Sequence, residues 1–137
     1  MENYFRPAMT EREINAMSAL ALAHIGDAVF ELLVRSSLCI SGGTTNGNLH
    51  HRTVALVCAE AQAARADLLL PLLTEQETAY YRRGRNAHPH STPKSASPVQ
   101  YAKATGVEAL FGALYLLGQT ERLNELFVQT MEGSHAI

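Results

Sequence analysis

Tryptophan is absent from this chain, and cysteine occurs only twice in its 137 residues. Cys39 and Cys58 are too few and too scattered for a disulfide framework or a zinc site. They read as small hydrophobes buried in a reducing compartment. Six histidines are present, but His24, His50, His51, His88, His90 and His135 do not form the paired spacing of a His-Glu-x-x-His metal site. Every apolar stretch is interrupted by Asp, Glu or His before it reaches ~18 residues, so no transmembrane span and no membrane partner are expected. The opening "MENYFRPAMTERE" lacks a basic segment followed by an apolar one. No signal peptide is therefore expected, and the expected location is cytoplasmic. Alternating β-branched runs bounded by turn residues are also missing, which argues against strands.

What remains is the pattern of an all-α helical bundle. Apolar residues make up 47% and charged residues 18%, a composition that folds rather than staying disordered. The length suits about one domain with its own core. Three segments have the form of a capping box: "TERE" from Thr10, "TEQE" from Thr74 and "SPVQ" from Ser97. The last places Pro98 at the first helical position, where its missing N–H does no harm. Gly118 is positioned to end a helix and Thr120 to cap the next. Helices are predicted near 10–16, 18–37, 46–67, 74–86, 98–117 and 120–131, with an apolar connector, Leu68 to Leu73, around Pro71.

Net charge is −2, which argues against a general, sequence-blind binder of nucleic acid. The distribution is more informative than the sum. Between Arg82 and Lys103 there is no acid, and five of the 11 Lys and Arg residues fall there: Arg82, Arg83, Arg85, Lys94 and Lys103. "NAHPHSTPKSASP", Asn86 to Pro98, has three prolines and reads as an exposed, irregular loop that carries this charge. "SGGTTNGN", Ser41 to Asn48, is glycine-rich but lacks the Gly-Lys-Ser/Thr ending of a phosphate loop, so it reads as a plain connecting turn.

Two acids stand out because their surroundings are so apolar. "ALALAHIGDAVFELLVR" carries Asp27 in its middle, and "ATGVEALFGALYLLG" carries Glu108. Both segments read as core helices. A buried carboxylate must protonate, find donors or bind a cation. Glycines accompany both acids: Gly26 beside Asp27, and Gly106 and Gly112 around Glu108. Each mid-helix glycine costs about 1 kcal/mol against alanine, which makes sense where helices approach closely or a ligand needs space. Face-to-face packing would let both carboxylates line one cleft, with oxygen ligands of the kind Mg²⁺ prefers. Hydrogen bonding to a neighbouring helix, or a place at an oligomer seam, would also satisfy them. Glu31, four residues after Asp27, can assist it or pair with Arg35. His24 reads as a packing residue, and His50 and His51 have no assigned role.

At these residues the chain resembles the ribonuclease III family. "IGDAVFELLVR" is similar to the family's signature helix, and "GVEALFGALYL" to its second acidic helix. "NLHHRTVALVCAEAQA" and "RRGRNAH…PKSAS…Y..ATGVEAL" resemble the short branch of the family, which has the nuclease domain without a double-stranded-RNA-binding domain. The resemblance covers roughly residues 16–131, the expected core of a single nuclease domain spanning 1–137. It implies an all-α, Mg²⁺-dependent endoribonuclease that acts as a homodimer on double-stranded RNA and leaves 5′-phosphates. The implied substrate is the precursor of large-subunit (23S) ribosomal RNA, with a ribosomal protein as a candidate helper. Asp27 and Glu108 match the family's metal-binding, catalytic acids. Longer members carry a further glutamate where this chain has Ala23, and an aspartate where it has Thr105. Arg82, Arg83, Arg85, Asn86 and Lys94 are the expected RNA contacts, since arginine engages phosphate bidentately. Two other readings are a non-catalytic double-stranded-RNA-binding or ribosome-assembly module and an all-α nucleotide pyrophosphohydrolase. For the latter, only Asp27 and Glu31 have suitable spacing.

Overall fold

The computed structural model describes residues 1–42, 45–87 and 97–134. Among these residues seven α-helices follow one another: α1 (Glu11–Ala16), α2 (Ala19–Ser41), α3 (Asn46–Val57), α4 (Ala59–Leu69), α5 (Glu75–Arg85), α6 (Pro98–Leu116) and α7 (Thr120–Ser134). A single 3₁₀ turn, Leu70–Leu72, sits at the predicted connector around Pro71. No strand occurs among the described residues, and no helix there is long and apolar enough to cross a membrane.

All three predicted capping boxes form. Thr10 and Glu13, Thr74 and Glu77, and Ser97 and Gln100 exchange side-chain and backbone hydrogen bonds as the pattern requires. Several boundaries differ from expectation: α2 runs to Ser41, four residues past its predicted end and into the glycine-rich stretch, and α7 runs to Ser134. The predicted helix 46–67 is broken at Cys58, which ends α3 and precedes α4 with an extended backbone (φ −64°, ψ 158°). The buried Arg65 donates to the carbonyl of Leu56 and lies 5.3 Å over the Phe30 ring, so a tertiary contact holds this break. Thr120 does not cap α7 but is its first residue; the carbonyl of Gln119 accepts the helix's first hydrogen bond. Cys39 and Cys58 are both exposed, against the expectation of burial.

The central element is α6. Ala104 to Val107 and Ala109 to Leu114 are all buried, because α2, α4 and α5 pack around it. Phe30 of α2 anchors the core, meeting Phe111 at 5.3 Å and Phe127 at 5.7 Å in tilted and edge geometries. Glycines set the helix spacing. A Cβ on Gly26 would lie 1.6 Å from the Glu108 carbonyl oxygen, and one on Gly112 would lie 2.0 Å from that of Leu22. The two helices therefore touch backbone to backbone and run antiparallel. Gly84 of α5 makes a second such contact, level with Thr105 and Ala109 of α6.

This crossing predicts a sharp contrast in stability. Gly26→Ala forces backbone apart and should lower the unfolding free energy by more than ~3 kcal/mol in urea titration. Gly47→Ala in α3, where an added Cβ meets nothing within 4 Å, should be neutral or stabilising by up to about 1 kcal/mol.

Candidate active site

The α2–α6 crossing brings Asp27 and Glu108 together. Gly26, next to Asp27, lies against the backbone of Glu108 itself, so the two side chains emerge side by side. Their carboxyls are within hydrogen-bonding reach of each other. The Glu108 carboxyl is pushed up from 4.5 to about 8, first by burial and then by the hydrogen bond and negative charge of Asp27. Asp27 lies on the exposed face of α2, and Glu108 is half-buried. The expectation that both helices bury all their faces is thus met by α6 and not by α2. Leu20 and Leu32 of α2 also remain 43% and 55% exposed.

The neighbouring positions add no further ligand. Ala23 is buried, and the buried Thr105 donates its hydroxyl to the Tyr101 carbonyl at 2.9 Å. Glu31 pairs with Arg35 at 3.2 Å, one of its two anticipated partners. Among the described residues, no group of three or more His, Cys, Asp or Glu side chains is placed to hold a metal. Two converging carboxylates do fit a hard divalent cation, which takes oxygen donors and keeps several waters. A cation there would also offset the burial and the Asp27 charge that together raise Glu108. His24 is exposed one turn before Asp27 and is not the packing residue expected. His50 and His51 are exposed on α3.

The basic run divides into different roles. Arg82, Arg85 and Asn86 are exposed at the end of α5, which meets α6 at the level of Glu108 through Gly84. Arg85 Nε donates to Asn86 Oδ1 at 3.3 Å, and its guanidinium lies 5.9 Å from the Tyr81 ring centroid. Arg83 corrects the sequence reading. Its guanidinium turns inward and donates to the carbonyls of Ile14 and Met17, so it ties α5 to the end of α1. Lys103 pairs with Asp67 of α4 at 3.0 Å. Lys94, His88 and His90 lie outside the described residues. Glu77 closes the α5 capping box as its sequence pattern predicts, but sequence reasoning misses its second partner: it also binds Arg122 of α7 at 2.8 Å. That Arg122 contact holds its carboxyl below the usual range.

A family model of the ribonuclease III domain matches residues 20–119, a span that contains both acids and the basic end of α5. The chain belongs to the ribonuclease III family. Its relatives include Mini-ribonuclease 3 of Symbiobacterium thermophilum, 51% identical over 78% of this chain and 82% of that protein. Mini-ribonuclease 3 of Enterococcus faecalis is 42% identical over 84% of this chain and 89% of its own length. A crystal structure of a Fusobacterium nucleatum protein superposes with a TM-score of 0.80 at 29% identity, covering 89% of this chain and 98% of that one. As a member of this family the chain is an endoribonuclease. The family acts on double-stranded RNA and depends on divalent metal.

The shifted carboxyl gives a signed prediction. Glu108 binds its proton more tightly folded than unfolded, so metal-free stability is greatest at low pH in this respect. It should fall as pH rises from about 4.5 to about 8. Thermal melts in EDTA across that range should show the decline, and Glu108→Gln should flatten it.

Proposed function

We propose that the chain hydrolyses double-stranded RNA at a Mg²⁺ site built from Asp27 and Glu108. The observation that carries this reading is the pairing of these two carboxyls across a backbone-to-backbone helix crossing. Packing of the core gives no reason for two acids to share one place. When bound, a divalent cation supplies a water of lowered pKa and stabilises charge on the phosphate. Asp27 and Glu108 hold it through oxygen, and Glu108 must release its proton to do so with both oxygens. Arg82, Arg85 and Asn86, with Lys94 beyond them in sequence, engage the RNA backbone. Such contacts give affinity without reading sequence, as suits A-form RNA. Arg83 is left out of this set because its donors are used within the fold.

The proposed substrate is the precursor of 23S ribosomal RNA, on the resemblance to the short branch of the family. The proposed working unit is a homodimer. The exposed Leu20, two turns before Asp27 on the same side of α2, and Leu32, farther round the helix, support it, since the described residues of one chain leave both uncovered. A two-fold pair of sites suits the two strands of a duplex.

The deciding experiment is cleavage of duplex RNA by the Asp27→Asn protein, which keeps size and removes charge. Cleavage with Mg²⁺ should fall by at least about 100-fold while the thermal melt stays cooperative. A wild-type rate would refute the site, and cleavage by wild-type protein in EDTA would refute the metal. Binding offers a second check. Removing Arg82 and Arg85 together should make the log–log salt slope shallower by about 2, one for each phosphate that a guanidinium neutralises. An unchanged slope would remove α5 from the RNA interface.

A further inference from the structure

The chain has nine aromatic residues, and seven are buried or half-buried. The other two, Tyr4 and Phe5, are adjacent and remain 81% and 78% exposed. Their exposure is not that of a loose end. Arg6 N–H donates to the Asn3 carbonyl at 3.0 Å, which closes a turn around them, and Phe5 N–H donates to Asn3 Oδ1 at 3.0 Å. The Tyr115 hydroxyl donates to the Tyr4 carbonyl, and Met9 N–H donates to the Leu116 carbonyl at 2.9 Å. The turn is thus fastened to the C-terminal end of α6, with two rings held outward and the exposed cation of Arg6 beside them.

Its location matters. Tyr115 follows Glu108 by seven positions, two turns on the same side of α6 and about 10 Å along the axis. Because α2 runs antiparallel to α6, its first turns lead from Asp27 toward the same end. The turn therefore stands at one end of the seam that holds the two acids. The geometry points to a stacking platform in which Tyr4 and Phe5 receive unpaired bases flanking the RNA duplex, while Arg6 meets their backbone. Aromatic rings stack on any base, and a neighbouring arginine adds cation and phosphate contacts. A duplex offers base faces only at its ends and at unpaired nucleotides, so the ligand class is a duplex with single-stranded flanks. An apolar protein partner would leave the Arg6 charge uncompensated. This inference rests on the double-stranded-RNA reading and adds a substrate preference to it.

The test uses the full chain and two RNAs, a blunt duplex and the same duplex with unpaired flanking nucleotides that carry 2-aminopurine. Binding is measured in EDTA and cleavage in Mg²⁺, for wild-type protein and for Tyr4→Ala/Phe5→Ala. The expected result is binding of the flanked duplex about fivefold or more tighter than the blunt one, with quenched 2-aminopurine. The double variant should lose both effects and still bind and cut the blunt duplex as wild type does. Tyr4→Trp/Phe5→Trp should restore them. Equal binding of the two RNAs by wild-type protein, or quenching that survives the double variant, would overturn the platform. So would a changed oligomeric state of the variant with its RNA preference intact, which would put a second copy on the turn. If wild-type protein neither binds nor cuts the blunt duplex, the nuclease reading fails along with the platform. If it does both, only the platform is at stake.

Discussion

The backbone contact between α2 and α6 fixes the distance on which the site depends. Helices whose side chains interdigitate usually pack with axes 8–10 Å apart; here Gly26 and Gly112 let the backbones themselves touch. At ordinary spacing, short Asp27 and longer Glu108 would each reach into solvent. At this spacing their carboxyls come within hydrogen-bonding reach of each other. The same contact explains why α6 is apolar on nearly every side. It has neighbours on three flanks, α2, α4 and α5, and Gly84 repeats the close approach on the α5 side. Glu108 thus sits on the helix with neighbours on three flanks, and the backbone beneath Asp27 cannot move away from it without opening the core.

The parts of this arrangement that are legible in the sequence are those that local chemistry decides. A hydroxyl followed by Glu or Gln three residues later can satisfy its own helix terminus, so all three boxes form where the pattern places them. Glycines beside lone acids point to a close crossing, and the crossing is there. What is not legible depends on where a side chain turns once the chain has folded. The break at Cys58 has no Gly or Pro to announce it; Arg65 holds it from within the core. Arg83 sits in a run of exposed arginines and looks like them. Its partners, Ile14 and Met17, lie 69 and 66 residues away.

The face of α2 that carries Asp27 shows a different limit of sequence reading. An apolar periodicity with no broad polar side predicts a helix buried all round, yet Leu20, Leu32 and Asp27 face outward. The pattern reports that apolar surface is to be covered, and it does not say by what. Among the described residues of one chain nothing covers it. The outer face of α2 is therefore where the amino-acid pattern and the isolated fold disagree, and in the proposed homodimer a second copy over that face would resolve the disagreement.

The scarcity of ligands at the site carries an argument of its own. Ala23 and Thr105 contribute none, the first because it is buried and apolar, the second because its hydroxyl is used by Tyr101. Two carboxyls held against each other form a site whose charge is incomplete without a cation, yet two ligands leave most positions around such a cation to water and phosphate. In the proposed reaction Asp27 and Glu108 would hold the cation, and RNA phosphate would be able to supply oxygens beside them. The placement of the basic residues follows from that. If the exposed end of α5 holds the duplex as proposed, it would do for this site part of what additional acids do in a richer one, by keeping phosphate oxygens near the acid pair.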